Sequence, residues 1–144
     1  MRNGTRLGAL AALALIVGCQ TQPLILRDSD EGRQWYWPHF LDGHPTALVF
    51  WSTESMECLR AIPSLNTLSL MDSRLQLISI ATGPDRLIID DWIKGRHEQP
   101  IRFTVLLDQK EALVKKLGVK AYPTFILFDE QGEVIPVTVV RAGP

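Results

Sequence analysis

Ser55 and Cys58 stand three residues apart, so on a helix a hydroxyl and a thiol fall on one face, a single turn from each other. A cysteine in the first turn of a helix meets free backbone amides and the positive end of the helix dipole, which can stabilise a thiolate. Cys58 is the sole cysteine beyond residue 19. The hydroxyl of Ser55 is far too weakly acidic to act as a nucleophile without an adjacent base. Glu54 and Glu57 flank it. As dipole-complementing charges they contribute about 0.3 to 1 kcal/mol each, and they disfavour a thiolate nearby.

The elements that must position this pair follow from the pattern of residues. Ala47 to Trp51 is a short apolar run with the composition of a buried strand. Ser52 to Ser55 is a polar break, and from Met56 the apolar Leu59, Ile62 and Leu65 recur at helical spacing, with Pro63 removing one amide from the ladder. Leu75 to Ala81 predicts a second strand, which Thr82-Gly83-Pro84-Asp85 ends. Arg86 to Lys94 predicts a helix with Ile88, Ile89, Trp92 and Ile93 on one face, and Phe103 to Leu107 a third strand. Asp108 is placed to cap a helix through Leu117, with Gly118 at its C′ position and Glu111 and Lys115 as a solvated pair four apart. Phe125 to Phe128 and Val134 to Val140 predict a hairpin across Asp129-Glu130-Gln131-Gly132, with Pro136 confining its second strand to a sheet edge. The β-α-β-α-β-α alternation predicts a layered α/β domain.

Two separated stretches carry a family resemblance. Phe50-Trp51, Cys58 and Pro63-Ser64-Leu65 resemble the F-W-A-x-W-C-x-x-C…P-x-L active-site unit of thioredoxin-like proteins, above all the membrane-anchored TlpA-like disulfide reductases of bacterial envelopes. Leu41 to Trp51 resembles that family's approach to the motif, and Val119-Lys120-Ala121-Tyr122-Pro123-Thr124 resembles its V-x-x-Y-P-T signature. The resemblance runs from Leu41 to the C-terminus. It implies a three-layer α/β/α thioredoxin-like fold with a mixed central sheet. The last helix of that fold has no counterpart after Val140, so one sheet face is expected to be partly uncovered. The resemblance also implies a cis Pro123 beside the active-site helix, with an extended substrate segment docking at Trp51, Tyr122, Pro123 and Thr124.

Three departures bear on chemistry. Ser55 occupies the place of the family's first, attacking cysteine; Ala61 stands where the TlpA-like group carries a glutamate; Val49 stands where thioredoxins keep a buried acid. The two-cysteine cycle therefore cannot run within this chain, and no proton-handling group accompanies the thiol in sequence. Whether the chain is an enzyme is left open at this point. One reading is a binding module that keeps the cis-proline groove for extended segments of envelope proteins, with Cys58 a small buried hydrophobe. The alternative is a single-thiol oxidoreductase or peroxidase acting through Cys58, with Ser55-x-x-Cys58 resembling the T-x-x-C of peroxiredoxins. Trp51 stands where peroxiredoxins have a proline, which weighs against the peroxidase form. No cofactor is expected. His39, His44 and His97 lack ligand spacing, so no metal is expected either.

The N-terminus points to the compartment. Arg2 and Arg6 precede the apolar run Leu7 to Val17, too short for the roughly 20 residues of a membrane span, so residues 1–18 read as a secretory signal. Ile16-Val17-Gly18-Cys19 resembles a bacterial lipobox, which implies a lipidated Cys19, a tether over residues 19–34 and a domain over 35–144. Gln20, after the cysteine, resembles the pattern sorted to the outer membrane, facing the periplasm. Within residues 35–40, Trp35 and Trp37 are expected to pack across the sheet. The 144 residues, 46% hydrophobic and 22% charged, suffice for one ordinary core. Without residues 1–18, thirteen basic residues face sixteen acidic ones, a net charge of −3, which excludes an ordinary nucleic-acid binder. The expected partners are envelope proteins or a thiol-containing protein, the membrane through the anchor, and a second copy through a Cys58–Cys58 bond.

Overall fold

The computed structural model of the protein describes residues 23–83, 86–95, 100–108 and 110–136. The signal and lipidation segment with Cys19, then His97, and the end of the expected last strand at residues 137–140 lie outside the described residues. Among the described residues one sheet holds seven strands: β1 (Leu24–Asp28), β2 (Gln34–Trp37), β3 (Thr46–Ser52), β4 (Gln76–Thr82), β5 (Thr104–Leu107), β6 (Thr124–Phe128) and β7 (Val134–Ile135). Their order is β2-β1-β5-β4-β3-β6-β7. The β3, β4 and β5 strands are parallel, and all other pairings are antiparallel, so the sheet is mixed. Three helices, α1 (Met56–Met71), α2 (Arg86–Lys94) and α3 (Ala112–Leu117), complete the α/β/α arrangement.

The central strand β3 is buried along nearly its whole length because it is covered on both faces. Leu48 and Phe50 point into a cluster with Leu26, Trp37, Ile78, Ile80, Leu106 and the α3 residues Leu113 and Val114. Ala47 and Val49 point the other way, toward Leu65 of α1, and Trp51 packs with Cys58 of α1 and Ile89 of α2. Period-two alternation along β3 thus divides the core between the two helical layers. The α3 helix ends where expected but begins at Ala112, with Glu111 rather than Asp108 as the residue before it, although Asp108 still holds its first amides. The buried Asp108 carboxylate accepts from the amides of Ala112 at 2.8 Å and of Leu113 and Val114 at 3.0 Å, and Gly118 closes the helix at φ +69°. The α1 helix runs through Pro63, whose carbonyl accepts from Thr67 Oγ1 at 3.0 Å.

The expected tether over residues 19–34 is corrected by the structure from Leu24 onward. Leu24–Asp28 pairs with Gln34–Trp37 as a hairpin and, through Arg27 and Asp28, with Leu107 and Leu106 of β5. Buried Asp28 organises the turn, accepting from the amides of Glu31 (2.9 Å) and Arg33 (3.2 Å) and from Arg33 Nε (3.0 Å) and Trp35 Nε1 (3.4 Å). Burial pushes this carboxyl up, but the Arg33 guanidinium and the other donors outweigh it and hold Asp28 below the ordinary aspartate range. The Arg27–Arg33 stretch is polar because it is this turn. The hairpin is fixed to the domain by edge-to-face contacts of Trp35 and Trp37 with Phe40 (5.9 and 5.6 Å) and of Trp37 with Phe128 (5.9 Å).

Candidate functional site

The site lies where the C-terminal end of β3 meets the start of α1. The chain leaves β3 at Ser52, whose Oγ accepts from the Glu54 amide at 3.2 Å and whose carbonyl accepts from the Ser55 amide at 3.2 Å. That tight turn delivers Ser55 to the N-cap of α1 in an extended conformation, φ −95° and ψ 113°. Its Oγ accepts from the Cys58 amide at 3.4 Å and donates to the Tyr122 carbonyl at 3.5 Å, both long bonds. Serine is among the preferred residues for this position, where its oxygen satisfies a donor the helix cannot.

Cys58 is 3% exposed, packed against Trp51, Ala81, Ile89, Val105 and Leu107. The thiol is therefore part of the core in this conformation, not a surface nucleophile, and a bond to a second copy would require uncovering it. Val49 and Ala61, the positions at which acids were missing in sequence, sit in one apolar cluster with Leu65 and Leu77. Among the described residues no group of three or more His, Cys, Asp or Glu side chains is placed to hold a metal ion.

Across from Ser55, the Tyr122–Pro123 peptide bond is cis. Thr124 Oγ1 donates to the Ala121 carbonyl at 2.6 Å, and Thr124 then opens β6 opposite Phe50 of β3. The structure thus brings Ser55, Cys58, Tyr122, Pro123 and Thr124 together. Trp51 does not join them at the surface. It is 5% exposed and underlies the site, tilted 46° against Trp92 with ring centroids 5.1 Å apart, so the expectation that it contacts substrate is corrected. An even alternation along β3 turns it toward α1 and α2.

A cavity of about 390 Å³ opens beside Tyr122, lined by Ser52, Thr53, Glu54, Thr82, Gly83, Lys110 and Glu111. The wall formed by Lys110 and Glu111 was not visible in sequence. Both come from the β5–α3 connection, and nothing local marks them except their position two and three residues after Asp108. Glu111 takes up φ +53°, a left-handed conformation uncommon for a side chain of its type.

The thioredoxin-like family pattern matches residues 43–134, from the turn before β3 to the start of β7. The chain belongs to the thioredoxin-like family. Its curated relatives are thiol-disulfide oxidoreductases. The thiol-disulfide oxidoreductase ResA of Geobacillus thermodenitrificans is 25% identical over 123 residues, covering 84% of this chain and 68% of that protein. ResA of Halalkalibacterium halodurans is 23% identical over 99 residues, 67% of this chain and 54% of its own length. The chain spans about half the length of most of these relatives. Among solved structures, the exposed lipoprotein thioredoxin of Streptococcus pneumoniae superposes with a TM-score of 0.70 at 20% identity, covering 79% of this chain and 86% of that one. MTB DsbF follows at 0.69 and 19% identity, with coverages of 83% and 86%. The thioredoxin-like fold expected from sequence is the fold observed. No helix of the described residues is long and apolar enough to cross a membrane.

Proposed function

We propose that this chain is a bacterial cell-envelope lipoprotein whose thioredoxin-like domain binds extended segments of other envelope proteins beside Pro123 and does not cycle a disulfide. The observation that carries the reading is the state of the Ser55–Cys58 pair. The hydroxyl at the first position is engaged as a helix cap, and the thiol at the second is 3% exposed. A relay of thiol and disulfide needs a first sulfur that substrate can reach, and a serine cannot take its place. Docking needs none of this. It needs backbone groups free to pair with a partner strand, and among the described residues nothing accepts from the Tyr122 amide. Lipidation of Cys19 and export by residues 1–18 complete the proposal. The description of the pneumococcal neighbour as an exposed lipoprotein supports them.

The test is alkylation of Cys58 in membranes carrying the full chain, read by mass spectrometry of the Cys58 and Cys19 peptides. The expected result is labelling of Cys58 only after unfolding, and a lipid mass on Cys19. Rapid labelling of the native protein would overturn the docking-only reading in favour of single-thiol oxidoreductase or peroxidase chemistry at Cys58.

A further inference from the structure

The strand directions put the root of the N-terminal segment at the same end of the sheet as the site. The β1 strand runs antiparallel to β5, and the paired residues Arg27, Leu107, Ala81 and Trp51 form one row across β1, β5, β4 and β3. From that row β3 continues through Ser52 to the Ser55 cap, and β6 starts at Thr124, opposite Phe50. Leu24 lies three residues beyond Arg27 in the same direction, about 10 Å past the row. Two neighbouring cavities join these places. One of about 540 Å³ is lined by Pro23, Leu24, Leu107 and Lys110, and the cavity beside Tyr122 shares Lys110 with it. Ile25 and its cross-strand partner Tyr36 stand exposed at this root, 44% and 43%. Cys19 precedes Leu24 by five residues, which fully extended reach no more than about 17 Å.

We infer that the domain is held with its Ser55–Pro123 end toward the lipid bilayer, so that the groove docks extended segments lying next to the membrane anchor of another envelope protein. This deepens the docking proposal and rests on it and on the lipidation of Cys19. Turning the domain over would lift Leu24 from the surface by at least the length of α1, whose 16 residues span about 24 Å, and the tether is too short to allow it. Ile25 and Tyr36 give the root an apolar side chain and an amphipathic ring, the kinds that rest at a membrane interface. A partner segment that leaves the bilayer within a few residues starts beside the groove, and its effective concentration there falls as its spacer grows.

The experiment uses the lipidated full chain in vesicles of phosphatidylethanolamine and phosphatidylglycerol. A donor dye is placed on a cysteine introduced by Met56→Cys or Ser73→Cys, exposed positions at opposite ends of α1, with an acceptor dye on the lipid headgroups. Energy transfer is expected to be about twofold more efficient from position 56, which is nearer the surface by the length of α1. The difference is expected to vanish when a flexible Gly/Ser stretch of about twenty residues is inserted between Gln22 and Pro23. In parallel, a short Ser/Val/Ala peptide bearing a photoreactive group is carried on lipids of the same vesicles through a Gly/Ser spacer of about four or about forty residues. The short spacer is expected to give about fivefold more cross-linked product with the native chain. Equal transfer from both positions, or more from position 73, on a chain whose Cys19 carries lipid would overturn the orientation and leave docking standing. Equal cross-linking through both spacers would refute the membrane-adjacent partner. A chain without lipid on Cys19 stays off the vesicles and ends this inference together with the lipidation reading. Cross-linking through neither spacer would overturn docking itself, and the inference with it.

Discussion

Replacing Ser55 by cysteine restores the family's two-sulfur spacing, and its consequences can be worked out in advance. The Ser55 Oγ that caps α1 is removed, and sulfur is a poor acceptor for the Cys58 amide now held at 3.4 Å. Loss of such a cap costs about 1 kcal/mol. Oxidation then closes a loop of only four residues, 55 to 58. Chain-entropy arithmetic for so short a loop gives about 2 kcal/mol of stabilisation relative to the dithiol. The reduced variant should therefore be about 1 kcal/mol less stable than the native chain and the oxidised variant about 1 kcal/mol more stable. For a domain near this size 1 kcal/mol corresponds to about 4 °C, so the two redox forms should melt about 8 °C apart. Thermal unfolding with and without dithiothreitol reads the difference directly, and the native chain serves as the control with no redox dependence. A turbidity assay of dithiothreitol-driven disulfide reduction should rise from baseline in the variant alone. Should the variant melt at one temperature in both conditions, with two titratable thiols after oxidation, the site lacks more than one sulfur and the reasoning fails.

Two further outcomes follow from buried carboxylates. Asp108→Ala strips the acceptor from three α3 amides and should cost about 2 to 4 kcal/mol in urea unfolding, because each bond is to a charged group. Asp28 titrates below its ordinary value in the folded chain, so as the pH falls the unfolded chain takes up the proton first. Its contribution is full above about pH 4 and is lost as the pH drops through the lower folded value. Asp28→Asn should flatten that part of the stability profile measured by denaturant melts at stepped pH.

The order of elements was legible because β3, α1 and the Tyr122–Pro123 stretch each announce themselves locally: a continuous apolar run, a helical period after a polar break, and a signature flanked on both sides. What escaped was set at long range. Leu24–Asp28 looked like part of a tether since five residues with one acid at the end carry no clear period; its place in the sheet depends on pairing Arg27 with Leu107, eighty positions away. The acid that seemed to mark solvent, Asp28, is buried because four donors of its own turn surround it. Trp51 was assigned to the wrong side of the site for a similar reason. Its neighbours in sequence are motif residues, but its facing partner, Trp92, lies on α2.

The two halves of the site are held by different forces, and this is why one can lapse without the other. Ser55 and Cys58 depend on side-chain identity: sulfur at both positions for exchange, or oxygen at the first for a cap. The Tyr122–Pro123 turn depends on backbone pairing, since β6 is laddered to β3 from Thr124 against Phe50 to Phe128 against Thr46. No bond in that ladder involves residue 55. Among the described residues the one hydrogen bond between the halves is the 3.5 Å contact from Ser55 Oγ to the Tyr122 carbonyl, too long to fix either one, while the Tyr122 ring rests against the apolar cluster that holds Cys58 whatever residue 55 is. A substitution at Ser55 should therefore change the chemistry available at α1 and leave the geometry beside Pro123 as it stands, so that peptide binding by the Ser55→Cys variant in its reduced form should match that of the native chain.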